Sequence, residues 1–293
     1  VIVHRAKDIR GPYEGKVVLR DRGIAQGSII DTPEGDWYAY MFRDNGSVGR
    51  IPYLIPMEWV DEWPVLGKDG VVPDVLDIEV NSQLGAWGIV SSDEFNRIAG
   101  DAPFSLHWQW NHNPDNRYWS LTDYPGYLRL TAGRIDDSPL QARNTLTQRT
   151  FGPESSASTF IEIDNMNNGD YSGMIALQKN YGYVGVKKVN DQYSIIMVNG
   201  EGEESVEVEN IPLNQNGVHL KIDCDFKERT DKAYFYYSLD GLNWISIGNT
   251  LQMSYTLPHF MGYRFGLFHY ATEKTGGYTD FDYFRISDEI NTN

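Results

Sequence analysis

The chain has 293 residues, a single cysteine and a formal net charge of −16 at pH 7, with its acidic residues scattered rather than run together. A surface of that sign repels phosphate backbones and argues against nucleic acid as a partner, while a neutral glycan is not opposed. Cys224 alone cannot form an intrachain disulfide, which suits a bacterial cytoplasm or secretion without disulfides, and no apolar run reaches the ~18 residues that a membrane span needs.

Taken in chain order, the residues Val1-Ile2-Val3-His4 are strand-like from the start, with no Met and no visible leader. Trp37-Tyr38-Ala39-Tyr40-Met41-Phe42 follows the turn signal Thr32-Pro33-Glu34-Gly35-Asp36, and its continuous apolar run predicts a buried hairpin strand. Residues 1–66 are dense in Gly, Pro and Trp. Residues 67–90 carry irregular patterning and read as an inter-domain linker. From Ser91 the strand pattern resumes, so that 91–293 forms a second block. Its runs include Phe104–Trp110, Tyr127–Leu130, Thr159–Asp164, Gly173–Gln178, Tyr183–Val189, Tyr193–Val198, Val218–Asp225, Ala233–Ser238, Phe265–Tyr270 and Phe281–Ile286. Turn clusters such as Asn167-Asn168-Gly169-Asp170, Asn199-Gly200-Glu201-Gly202 and Asp240-Gly241 separate them. No helical pattern persists beyond two turns, so the chain reads as all-β, with a sandwich or barrel in its second block.

The first block is too small to stand as a domain. Four or five strands make one sheet with bare faces and edges, an aggregation hazard unless neighbours cover it. A propeller blade meets that requirement by packing against adjacent blades. Aromatic residues make up 13% of the chain, with eight Trp and nineteen Tyr, and in a β-rich protein most of these build cores and cross-strand pairs rather than sugar platforms.

A family resemblance sharpens this. The segments Ile9-Arg10-Gly11-Pro12-Tyr13-Glu14, Gly23-Ile24-Ala25-Gln26-Gly27-Ser28-Ile29-Ile30-Asp31-Thr32-Pro33, Asp44-Asn45-Gly46-Ser47-Val48-Gly49-Arg50-Ile51-Pro52-Tyr53-Leu54 and Trp63-Pro64-Val65-Leu66-Gly67 resemble the last part of the five-bladed propeller of glycoside hydrolase family 43. The second block resembles the concanavalin A-like sandwich that follows it, through Leu106-His107-Trp108-Gln109-Trp110-Asn111-His112-Asn113-Pro114, Pro125-Gly126-Tyr127-Leu128-Arg129-Leu130, Ala142–Thr150 and Asp280-Phe281-Asp282-Tyr283-Phe284. The resemblance implies the terminal portion of a five-bladed β-propeller followed by a concanavalin A-like antiparallel β-sandwich. It also implies an inverting β-xylosidase or α-L-arabinofuranosidase acting on xylo- or arabino-oligosaccharides.

Inverting glycosidases use two carboxylates roughly 6.5–9.5 Å apart, one as general acid and one as general base. In the family these, and a third that tunes the acid, lie upstream of the Gly11-Pro12-Tyr13 segment. None of the forty-one acidic residues here is therefore expected to be catalytic, and an N-terminal propeller fragment of the same enzyme is the expected partner. Glu14, Asp31, Asp44 and Asp61 sit beside turns and read as caps and turn formers. Arg50 resembles the family arginine that reaches the substrate pocket, where it would bond sugar hydroxyls or a catalytic carboxylate; a structural arginine is the alternative. Gln26 is a further candidate near the propeller axis. Many relatives carry His where Ala25 stands, close to a central metal or water. A structural or central calcium is the only cofactor in view, and Ala25 could not ligate it.

In the second block, Ala142–Thr150 is dense in polar residues. Read as a strand with polar groups on both faces, it is expected to dock on the propeller, with Arg143 and Gln148 as contacts at the pocket; an exposed polar edge is the alternative. Trp108 and Trp110 share a strand face and read as sheet core, and His107 and His112 lack a third ligand for zinc. A second reading of the whole chain remains: a stand-alone carbohydrate-binding, lectin-like module in which the sandwich does the work.

Overall fold

The structure is a computed structural model and describes residues 1–21, 23–78, 88–98, 100–256 and 261–290. Its contacts divide the chain into two compact units: Val1–Asn45 with Gly49–Ala86, and Gly46–Val48 with Trp87–Asn293. Among the described residues the regular structure is strand, apart from short 3-10 turns such as Gly46–Val48 and Lys227–Arg229.

Among the described residues the first unit holds six strands, one or two more than the sequence suggests. Strands β1 (Ile2–Arg5) and β2 (Glu14–Val17) form a hairpin of their own, while β3 (Ile24–Asp31), β4 (Trp37–Asp44), β5 (Arg50–Val60) and β6 (Trp63–Leu66) form a four-stranded antiparallel meander. The β5–β6 turn is two residues long, and both Asp61 and Glu62 take positive φ, at 52° and 63°, the backbone whose twist matches that of the flanking strands. Ala39, Met41, Ile55, Met57 and Leu66 bury one face with Val18, Leu19 and Ile24. The run Trp37–Phe42 is not buried on both faces as its composition suggests. Ala39 and Met41 are enclosed, whereas Tyr40 points out at 55% exposure, because a strand of a sheet covered on one side buries alternate residues only. The start of the expected linker belongs to this unit: the Gly67 amide donates to the Pro56 carbonyl and the Val72 amide to Asp21 Oδ2. Residues 79–87 of that linker lie outside the described residues.

The second unit is two antiparallel sheets. Its strands are β7 (Gln109–Trp110), β8 (Trp119–Ser120), β9 (Leu128–Thr131), β10 (Leu146–Arg149), β11 (Glu154–Glu162), β12 (Asp170–Leu177), β13 (Asn180–Val189) and β14 (Gln192–Glu201). These are followed by β15 (Glu204–Leu213), β16 (Gly217–Asp225), β17 (Lys232–Ser238), β18 (Ile245–Ser246), β19 (Leu251–Gln252), β20 (Arg264–Ala271), β21 (Tyr278–Phe281) and β22 (Arg285–Ser287). One sheet runs β15-β14-β13-β12-β20-β10-β7, and the other β18-β17-β16-β11-β21-β9-β8, with β19 on β17 and β22 on β11.

Alternation along each strand builds the core between them. On β16, Val218, Leu220, Ile222 and Cys224 point inward; on β20, Phe265 and Leu267 meet them from the facing sheet. Cys224 is completely enclosed, and burial pushes its thiol well above its ordinary range. Trp108 joins this core and Trp110 packs against it, as expected, although only Gln109–Trp110 is strand and Trp108 precedes it. The opposite face of the first sheet carries its own cluster of Ile175, Leu177, Tyr181, Tyr183, Phe268 and Tyr270. Strand β15 escapes the sequence reading: it is an edge strand, exposed along most of its length and studded with Glu204, Glu207 and Glu209, the charged dressing that discourages edge-to-edge pairing. Buried polar side chains are tied into this frame. Arg129 Nε and Nη2 donate to the two oxygens of Asp280, both at 2.8 Å, and His219 Nδ1 lies 2.9 Å from the Tyr283 hydroxyl.

Candidate functional site

In the first unit, Arg50 opens β5 directly across the ladder from Asp44 at the end of β4. Its Nε donates to Asp44 Oδ1 at 3.2 Å, and its guanidinium carbon sits 4.2 Å from the centre of the Phe42 ring. Ion pair and ring hold the arginine in one plane while its side chain keeps 27% exposure. A planar, oriented fork of donors is the form in which arginine recognises a carboxylate or adjacent hydroxyls.

Gln26 lies on the same sheet, on β3, at a β-bulge. Ala25 pairs with Phe42 and Gly27 with Met41, so Gln26 is the extra residue, with φ of 36° and an exposed side chain. Bulges turn a side chain out of the regular alternation. The neighbouring glycine is obligatory, since a Cβ on Gly27 would lie 2.1 Å from the Tyr40 carbonyl oxygen. Ala25 has no donor atom, and among the described residues no group of three or more His, Cys, Asp or Glu side chains converges to hold a metal.

Several carboxylates of this unit have structural partners. Asp21 accepts from Arg43 Nη2 at 2.6 Å and from the Val72 amide at 3.0 Å. Glu14 accepts from Arg5 Nε at 2.8 Å, whose Nη1 also reaches the Asp61 and Glu62 carbonyls. Asp61 is a turn residue, as its position suggests.

The polar run of the second unit behaves differently from the expectation. Only Leu146–Arg149 is strand, and the polar groups around it are consumed inside the sandwich. Gln148 is 1% exposed; its Oε1 accepts from the Ser91 amide at 2.9 Å and its Nε2 donates to the Ser91 carbonyl at 2.8 Å. Thr147 Oγ1 donates to the Gln109 carbonyl, and Asn144 bonds both backbone groups of Asp115. Buried polar groups must be satisfied, and here they staple loops to the sheet. Gln148 is a backbone clamp rather than a substrate contact. Arg143, by contrast, is exposed. It borders a cleft of about 220 Å³ whose wall also holds Asp115, Arg117, Tyr118, Arg134 and Asp136. The first of these carboxylates is drawn down to about 2 by its hydrogen bonds from Arg117. Sequence reading could not find this cleft, because its members come from separate loops and no motif joins them.

The histidines of the expected non-site are used locally: His107 Nδ1 pairs with Ser105 Oγ and His112 Nε2 with the Leu140 carbonyl. His107 and Gln109, facing away from the core, open onto a cleft of about 680 Å³ that also meets Ile89, Leu106 and Arg149. No described helix is long and apolar enough to cross a membrane.

Comparison with known proteins is consistent along the chain. Residues 92–287 match the family model described as the beta xylosidase C-terminal concanavalin A-like domain. A solved structure named as a bifunctional GH43-CE protein of Bacteroides eggerthii is 57% identical, with a TM-score of 0.92 over 99% of this chain and 37% of its own. A GH43 glycoside hydrolase, engineered in its active site to display endo-xylanase and exo-arabinofuranosidase activity, is 29% identical, with a TM-score of 0.87 over 98% of this chain and 60% of its own. A beta-xylosidase of Formosa agariphila is 27% identical over 97% of this chain and 52% of its own length. The chain spans about half the length of the curated relatives it matches.

Proposed function

The chain belongs to glycoside hydrolase family 43, with the beta xylosidase C-terminal concanavalin A-like domain as its larger part, and from that premise we propose that it is the C-terminal portion of an inverting glycosidase. The substrates in this reading are xylan-derived β-xylosides, α-L-arabinofuranosides or both, and the general acid and general base stand in propeller blades outside these 293 residues.

The observation that carries the reading is Arg50. It is held by Asp44 and Phe42 at a strand end of a propeller-type sheet, with its guanidinium oriented and partly exposed. Inverting hydrolysis needs one protonated carboxyl to donate to the leaving oxygen and one carboxylate to take a proton from the attacking water. Arg50 supplies neither. It would hydrogen-bond a sugar hydroxyl, or hold a catalytic carboxylate ionised by charge and hydrogen bond. Gln26, turned out by its bulge, would add a polar contact at the same sheet. The relatives' printed names, beta-xylosidase and exo-arabinofuranosidase among them, support the substrate class.

The test is to join the chain to its upstream blades and assay nitrophenyl β-xyloside and α-L-arabinofuranoside. Hydrolysis should need the blades, and the first-formed sugar should show the inverted anomer by NMR. Arg50→Ala should lower kcat/KM by about 10- to 150-fold, matching the ~1.5–3 kcal/mol of a hydrogen bond to a charged group. Unchanged kinetics would remove Arg50 from the site. Equal binding of xylo-oligosaccharides with and without the blades would favour the lectin-like alternative.

A further inference from the structure

We propose that the arginine cleft of the sandwich binds a sugar that carries a carboxylate. The inference rests on the glycan reading above for the word sugar, and on the cleft's charge arrangement for the word carboxylate.

Three arginines and two aspartates line the cleft, and four of the five charges are matched in pairs. Arg117 holds Asp115 with two parallel bonds, Nε to Oδ1 at 2.9 Å and Nη2 to Oδ2 at 2.7 Å. Arg134 Nε lies 2.8 Å from Oδ1 of Asp136, a carboxylate only 7% exposed, and Arg134 Nη2 is bonded to the Gln141 carbonyl. Arg143 is the remainder, though its charge also helps to hold Asp115 ionised. Its Nε donates to the Asn113 carbonyl at 2.9 Å, and among the described residues its two Nη groups have no acceptor. Three positive charges less two negative ones leave the cleft one positive, on a chain of net −16. A cationic concavity on an acidic surface concentrates anions locally.

The shape of the unmatched group selects among anions. A guanidinium anchored through Nε presents its two Nη groups as a flat fork, the counterpart of a carboxylate's two oxygens. The matched pairs beside it suit hydroxyl groups: Asp115 and Asp136 retain acceptor lone pairs, and Arg117 and Arg134 each retain Nη1 as a donor. Tyr118 adds a fixed wall, because its ring lies where a Cβ on Gly133 would come within 2.4 Å and the Arg117 guanidinium carbon is 5.2 Å from its centre. Carboxylate on Arg143 and hydroxyls on the two pairs, beside a Tyr118 ring held in place by Gly133 and Arg117, together describe a uronic acid residue.

The test is calorimetric titration of the 293-residue chain with D-glucuronate, D-xylose and acetate. Glucuronate should saturate one site, with xylose and acetate at least tenfold weaker. Arg143→Leu, a change at an exposed side chain, should weaken glucuronate at least tenfold while leaving the circular dichroism of the sandwich unaltered. Three results overturn the proposal: glucuronate that fails to saturate, acetate that binds as well as glucuronate, or Arg143→Leu that binds it like the parent. Binding to this chain is read directly, so the outcome stands apart from whether the joined blades hydrolyse any glycoside.

Discussion

The sandwich presses two sheets over Phe265, Leu267, Ile222, Val184 and their neighbours, all without measurable exposure. The first unit encloses far fewer side chains, and Ile30, Tyr40, Trp59 and Ile29 of its single meander stay 58%, 55%, 46% and 41% exposed. Beside its core face lies an apolar cleft of about 450 Å³ bordered by Val1, Val3, Met41, Trp59 and Trp63. Apolar surface returns roughly 25 cal/mol per Å² when it leaves water, and the outer face of the meander forgoes that gain while its inner face buries only a small cluster. The sandwich closes its core between two sheets, whereas the meander leaves one face largely exposed.

The sharpest way to break that comparison is to separate the two. Expressed alone, residues 88–290 should unfold in one cooperative transition in denaturant, while residues 1–78 should give a broad, non-cooperative change and aggregate. A cooperative, soluble 1–78 would sink both the contrast and the propeller reading. Next in size is Arg129→Ala, which strands Asp280 at 3% exposure. Removing one partner of such a buried pair costs about 3–5 kcal/mol, and the loss should appear in the sandwich transition. Gln148→Ala should cost about 1–3 kcal/mol in the same transition, because both backbone groups of Ser91 lose a buried partner.

The smallest effect is a pH slope. Burial lowers the His219 pKa below its ordinary 6.5, so the unfolded chain takes up a proton there before the folded one does. Folding is therefore favoured more as pH rises, and the stability that neutral His219 supports is lost progressively as pH falls below 6.5. His219→Gln should flatten that part of the sandwich's stability profile between pH 7 and 5.

Much of this architecture is legible in residue order. Alternation along Val218–Asp225 and Phe265–Tyr270 places the core strands, and the expected core role of Trp108 and Trp110 holds although Trp108 lies just before the strand. What alternation cannot show is how polar groups are used. Glu204–Leu213 looks too hydrophilic for a strand, yet edge strands are charged for protection. Gln148 looks like a surface contact, yet it is a clamp whose partner, Ser91, is 57 residues away. Gln26 gains its direction from a bulge that depends on Gly27. The cleft around Arg143 assembles residues from loops on either side of β8 and β9, so only the folded chain brings its charges together.

One consequence follows from the position of Cys224. As the sole thiol of the sequence, sealed between the two sheets and held protonated by its surroundings, it is shielded from alkylating dyes while the sandwich is closed. The speed at which such a dye labels the native protein is then a stopwatch for opening of the larger unit, blind to whatever the meander does.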